Sequence, residues 1–205
     1  IIENVLTVRR AEDKVVQKSV EFLRGLGYGV DHGALRAMDF GVPQDRRRHF
    51  TVAILGEPFK FDSLNVGHVD PRPVMWGIED LGVVEGGSNF DTPATHQIQN
   101  RERIAWLFGE GWEDWEIEKF NQSGDPNNPH AYNLPDHRRP PCHQSGHNYP
   151  AVYGRMFPQL PSPCLTTGFG STGQGRFVHP YEQRSLTPHE AARVQTFPDF
   201  FDFST

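Results

Sequence analysis

The chain has 205 residues, enough for one domain or two small ones with a real core. Its 36% hydrophobic content with 20 Gly and 17 Pro marks a loop-rich globular protein, excluding a coiled coil or a wholly disordered tail. No apolar run approaches the ~20 residues needed to cross a bilayer, and two cysteines make no disulfide framework.

The net charge of −6 is unevenly spread. Residues 1–60 carry +2, residues 61–135 carry −9, and residues 136–205 carry +1. A mean charge says little about a nucleic-acid surface when the signs are segregated like this. The acidic 61–135 segment is expected to face away from phosphates.

In chain order, Ile1–Val5 reads as a short buried strand. Val16, Val20, Leu23 and Leu26 then make an apolar stripe at helical spacing within Ala11–Leu26, which Gly25 and Gly27 end. Tyr28–Val30 and Leu35–Met38 read as strand pieces, and His49–Leu55 as a strand broken by Gly56 and Pro58. Strand, helix, strand with short connections predicts an α/β class, the second half of a doubly wound sheet.

From Phe59 the texture changes, with turns punctuated by Gly and Pro. Val74–Leu81 and Gln97–Phe108 are the predicted helical pieces, Gly109–Pro141 is loop-dominated, and Tyr149–Phe177 predicts a small irregular sheet. The boundaries drawn are 1–58 for an α/β part, 59–180 for a loop-rich, mostly β subdomain, and 181–205 for a bracing helix and turn. In the last part Thr187 caps a helix, Pro188 takes its first position, and Glu190 falls three residues after the cap. Phe197-Pro198 stops it. The Trp106, Trp112 and Trp115 group reads as core packing rather than a stacking platform.

Three segments carry a specific pattern. They are Glu3-Asn4-Val5; Gln44-Asp45-Arg46-Arg47-Arg48; and the late run from Arg184 through Leu186, Thr187, Glu190, Ala192 and Arg193 to Phe201. In this order they resemble the DNA (cytosine-5) methyltransferase family, framing almost the whole chain. The resemblance implies a methyltransferase sheet followed by a target-recognition region. It also implies double-stranded DNA as substrate and S-adenosylmethionine as methyl donor. The implied setting is cytoplasmic and nucleoid-associated, of bacterial or phage restriction-modification type. The opening Ile1-Ile2-Glu3-Asn4 agrees with it, lacking a signal-peptide layout.

In that family a target cytosine is flipped from the duplex and a cysteine thiolate adds to C6, which makes C5 able to accept a methyl group. Flipping costs a few kcal/mol, so the extruded ring is gripped along its polar edge. The resemblance assigns Glu3 to cytosine N3, where a protonated carboxyl donates as a general acid. Asn4 would orient the nucleophile loop. Arg46 and Arg48 fall on one strand face and Arg47 on the other. Their guanidinium forks suit a base carbonyl or a phosphate. Arg48 is assigned near cytosine O2, Arg46 near phosphate or the Glu3 carboxylate, and Gln44 to a supporting hydrogen bond.

Arg155, Thr166, Thr167, Gly168 and Arg176 are the candidate DNA contacts of the recognition region. Where the family commonly carries Thr-x-Thr after a proline, Cys164 replaces the first hydroxyl. Thr187, Glu190 and Arg193 have structural duty. Pro141-Cys142-His143-Gln144 only superficially resembles the nucleophile motif, since that motif precedes the glutamate and His143 interrupts it. Cys142, His143, His147 and Cys164 fit no standard metal-site spacing, and no metal is expected.

The chain holds neither a Phe-x-Gly-x-Gly donor loop nor a Pro-Cys-Gln nucleophile. It is therefore expected to be a C-terminal portion, inactive alone, with an N-terminal half as partner. The alternatives are a non-catalytic DNA-recognition module or split-enzyme subunit, and a protein-interaction domain built on the acidic segment.

Overall fold

The computed structural model describes residues 1–64, 69–82, 88–109, 133–144, 151–201 and 203. The strands are β1 (Ile2–Asn4), β2 (Tyr28–Arg36), β3 (Gln44–Asp45), β4 (Arg47–Leu55) and β5 (Ser162–Pro163). The helices are α1 (Val15–Gly25), α2 (Val74–Ile78), α3 (Ile98–Trp106) and α4 (Pro188–Val194).

The main sheet has the order β1-β4-β2, with β4 antiparallel to both neighbours. β1 and β2 therefore run the same way, joined by α1, with β4 between them. Helix α1 lays Val16 and Val20 against Val30, with Leu23, Tyr28 and Ala53 packed around them. Gly27 follows the helix at φ 87°, a left-handed turn that glycine reaches without steric cost.

The opposite sheet face is covered by Phe61. A Cβ on Gly33 would lie 2.2 Å from the Phe61 ring, so only glycine lets the ring settle there. The Asp31 carboxylate accepts the Phe61 amide at 2.9 Å, fixing the covering turn. Backbone bonds to Phe61 and His32 are the leading cause that holds the Asp31 carboxyl below its usual range.

Three local expectations change. The opening strand is exposed rather than buried, because β1 pairs only with β4 while α1 packs on β2 and β4. Tyr28–Arg36 is one continuous strand, and Met38 falls in the 3-10 turn Ala37–Phe40 instead of a strand. In 59–180 the strand content among the described residues is β5 and an isolated bridge from Arg155 to Val178; loops, short helices and 3-10 turns make up the rest.

The second region has its own core. Val74 and Ile78 of α2 meet Met156, Leu165, Phe177, Leu186, Ala191 and Val194. A neighbouring cluster joins Ile104 and Leu107 to Leu134, Val152, Tyr153 and Val178, with Trp106 packed against it. Trp112, Trp115 and His147 lie outside the described residues. The two regions are stitched by parallel β3–β5 pairing, Gln44 to Ser162 and Asp45 to Pro163.

Helix α4 starts with a full capping box. Thr187 Oγ1 accepts the Glu190 amide at 3.1 Å, and Glu190 Oε2 accepts the Thr187 amide at 2.8 Å. Among the described residues, no helix is long and apolar enough to cross a membrane.

Candidate active site

In the β1–β4 register Glu3 lies opposite Phe50, and Arg48 stands two residues away on the same face. That diagonal brings Arg48 Nε to 3.0 Å from Glu3 Oε1. The pair is open to solvent, with Glu3 46% and Arg48 20% exposed at the side chain. Arg48 Nη1 also donates to the carbonyl of Arg47 at 2.8 Å.

The second arginine meets the first at a sulfur. Arg46 Nη1 lies 3.4 Å and Arg48 Nη2 3.9 Å from Cys164 Sγ. The two guanidinium groups therefore share one side of the chain, and the residue between them comes from the recognition region. The carboxylate of Glu3 is held by Arg48.

Asn4 turns its carbonyl back on its own strand, accepting the Val5 amide at 2.8 Å. Gln44 is 1% exposed, and its Nε2 has no hydrogen-bond partner among the described residues. A buried, unbonded amide costs on the order of 1–3 kcal/mol, so Gln44 is not placed for packing alone. Arg36 and Asp45 flank it as a bidentate pair at 2.6 and 2.7 Å. The hydrogen bond from Arg36 is the main cause that lowers the Asp45 carboxyl below its usual range.

The recognition residues divide sharply. Thr166 and Thr167 are exposed and Gly168 half-buried, in a turn closed by Phe169 N donating to Thr166 O at 3.1 Å. Arg155 is half-buried with its guanidinium 4.6 Å from the Phe108 ring centroid. Arg176, expected on the DNA side, is buried instead. It donates to the Arg155 carbonyl at 2.9 Å and to Asn133 Oδ1, and it stacks on Phe157. Desolvation there pulls its pKa down to about 10.

The bracing residues sit in a larger network than the sequence pattern marks. Glu190, 1% exposed, takes two bonds from Arg184 at 2.7 Å each, and Glu182 takes a third at 2.8 Å. Burial alone would lower the Arg184 pKa; the bonds to Glu190 and Glu182 outweigh it and raise it above the usual arginine value. His179 Nε2 lies 3.6 Å from Glu190, and desolvation holds the imidazole below its ordinary value despite that neighbour. Arg193 ties α4 to Asp80 at 2.9 Å and Asp199 at 2.8 Å. The sequence pattern opens its late block on Arg184 without giving it a duty, and does not single out His179 or Asp80. The available signal was Arg184 and Glu190 flanking the cap with opposite charge.

Cys142 is exposed, and His143 Nδ1 lies 3.1 Å from the Tyr153 hydroxyl, far in sequence from the Cys164 contacts.

An exposed glutamate–arginine pair thus stands on the sheet, which β3–β5 pairing pins to the loop-rich unit. The fold is of the methyltransferase class. The chain superposes on a crystal structure described as a DNA modification methyltransferase encoded within an E. coli prophage, with TM-score 0.51 at 19% identity. That match covers 98% of this chain and 59% of that one.

The chain belongs to the C-5 cytosine-specific DNA methylase family, whose model matches residues 1–205. It is 38% identical to the type II methyltransferase M1.BsuMI of Bacillus subtilis, over 99% of this chain and 44% of that protein. It is 29% identical to the type II methylase M.HgiDII of Herpetosiphon aurantiacus, over 99% of this chain and 54% of that protein. The chain thus spans about half the length of these relatives.

Proposed function

We propose that this chain is the C-terminal portion of a type II DNA (cytosine-5) methyltransferase, supplying the base grip and the DNA-recognition region. The Glu3–Arg48 pair, with Arg46 and Arg48 gathered on Cys164, carries this reading. A spacing of 3.0 Å leaves no room for a pyrimidine between the two side chains. The pair must part as the flipped base enters. Arg48 then turns its fork to the cytosine O2, and Glu3, freed of Arg48, takes up a proton from solvent and donates it in a hydrogen bond to N3.

Arg46 faces phosphate, Asn4 orients the nucleophile loop, and Gln44 supports them from within, its side chain buried. Thr166, Thr167 and Gly168 supply the DNA-facing turn, with Arg155 behind it. Arg176 supports that turn from within. Thr187, Glu190 and Arg193 brace the recognition region on the catalytic part. In these terms residues 1–58, 59–180 and 181–205 act as catalytic part, recognition region and brace.

S-adenosylmethionine supplies the methyl group when bound. The residues around Glu3 do not enclose it: β1 is exposed along its length, and a donor there would meet open solvent. Its seat is assigned to the N-terminal half of the enzyme. The nucleophilic thiolate is assigned in the same way, to an N-terminal half.

The test is transfer of a radiolabelled methyl group to duplex DNA. The chain alone gives no turnover, and an N-terminal half bearing the nucleophile and donor motifs restores it. In the restored mixture Glu3→Gln lowers the rate about 10²- to 10⁴-fold, the usual worth of a positioned general acid. Failure of every folded complement, or full activity of the Gln variant, rejects the assignment.

A further inference from the structure

One stretch of chain serves two sheets. β3 and β4 are separated only by Arg46, yet β4 runs between β1 and β2 while β3 pairs with β5 of the recognition region. The strand changes partners at Asp45. Arg46 N donates to the Gln44 carbonyl at 3.1 Å, closing a tight turn there. Ala37 N still donates to the Arg46 carbonyl at 2.8 Å, as the last rung of the β2–β4 ladder. On the far side, Ser162 N donates to the Pro43 carbonyl at 2.9 Å, extending the β3–β5 pairing.

A side-chain fork closes over this branch point. Arg36, the last residue of β2, donates from Nε and Nη2 to the two Asp45 carboxylate oxygens at 2.6 and 2.7 Å. The side chains are 32% and 40% exposed, so the pair adds little to folding. It does offset a local repulsion. Arg36 stands opposite Arg47 in the β2–β4 register, and like charges so placed are destabilising. Asp45 answers Arg36 directly and Arg47 at longer range. The next residue in the chain is Arg46, whose guanidinium reaches Cys164.

We infer that Arg36 and Asp45 are positioning residues for Arg46: their fork pins the branch point, so that Arg46 keeps its aim at phosphate while Arg48 leaves Glu3 for the base. The inference rests on the methyltransferase reading above. Arg46 and Arg48 stand two residues apart on one backbone. If the strand could pivot at the Asp45 turn, the movement of Arg48 would carry Arg46 with it. A bidentate bond fixes direction as well as distance, which a single hydrogen bond does not.

The experiment is steady-state methyl transfer by the complemented enzyme, with duplex DNA as the varied substrate. Arg36→Ala is expected to raise KM for DNA about 10-fold with kcat within about 2-fold of wild type, the signature of a lost uniform binding contact. A folding defect would instead lower kcat through loss of active enzyme and leave KM in place. Asp45→Asn is expected to act like Arg36→Ala, and Arg36→Lys, which keeps the charge but not the fork, to raise KM by less. Arg46→Ala is expected to raise KM as well, and adding Arg36→Ala to it brings no further rise, because the two act through one contact. Unchanged KM in Arg36→Ala, or a rise that multiplies with that of Arg46→Ala, overturns the positioning role and leaves the methyltransferase reading standing. A wild-type mixture without turnover sinks both.

Discussion

Two glutamate–arginine pairs in this chain are built in opposite ways. Glu3 and Arg48 meet at 3.0 Å on an exposed strand, with side-chain exposures of 46% and 20%. Glu190 and Arg184 meet at 2.7 Å beneath the start of α4, with exposures of 1% and 11%. The chemistry of the two pairs is the same, but the solvent is not. A solvated pair is worth little and separates readily, which suits a grip that must open for a base. A buried pair contributes through what its breakage would cost, since the surviving ion has no water to turn to. The capping box, His179 and Glu182 lock that second pair further.

The comparison is broken most directly by Glu190→Ala. It takes both Glu190 bonds from the buried Arg184 guanidinium, leaving it to Glu182 and the Ser185 carbonyl, and removes half of the capping box, so a loss of about 3–5 kcal/mol in unfolding free energy is expected. Urea denaturation followed by circular dichroism reads it. A loss under ~1 kcal/mol would show that the brace is no more than a surface pair.

A second distinction lies in pH. His49 is buried with its Nε2 3.1 Å from His32 Nδ1. Desolvation first, then the charges of His32 and Arg9, hold its folded pKa below the ordinary value. The unfolded chain, titrating near about 6.5, therefore takes up the proton first. Stability is full above that pH and falls as the solution is acidified towards the folded value. His96 and His179, both lowered chiefly by burial, act in the same window. The lowered carboxyls of Asp31, Asp45, Asp91 and Asp199 act below the ordinary carboxylate range. His49→Gln should flatten the decline between pH ~6.5 and ~5, measured by thermal melts. An identical slope in the variant would remove the buried imidazole from the account.

The smallest effect is expected at the exposed pair. Arg48→Ala should change stability by no more than about 1 kcal/mol, because the pair is solvated. The same substitution should abolish methyl transfer in the complemented enzyme. A large stability loss would make Arg48 a structural residue and blur the contrast between the two pairs.

Much of the fold was legible where short-range rules apply. The capped start of α4 followed from Thr187, Pro188 and Glu190, and α1 from its apolar stripe. Strand alternation put Arg46 and Arg48 on one side, and both guanidinium groups do reach Cys164. The exposure of β1 was not legible. Its apolar residues read as buried, whereas burial depends on which strands and helices become neighbours. Arg176 failed for the same reason: its Gly-rich surroundings read as a DNA-facing loop, yet Phe157 and Asn133 enclose it.

By itself the amino-acid order determined the local elements, the α/β class and the succession of motifs that mark the family. These rest on backbone sterics, capping and side-chain periodicity, which act over a few residues. Only the tertiary structure decided that Arg46 meets a sulfur 118 positions away, that Glu190 is dry while Glu3 is wet, and that Arg103 reaches the backbone carbonyl of Arg138. Those outcomes depend on which distant surfaces exclude water together, and no short stretch of sequence carries that information.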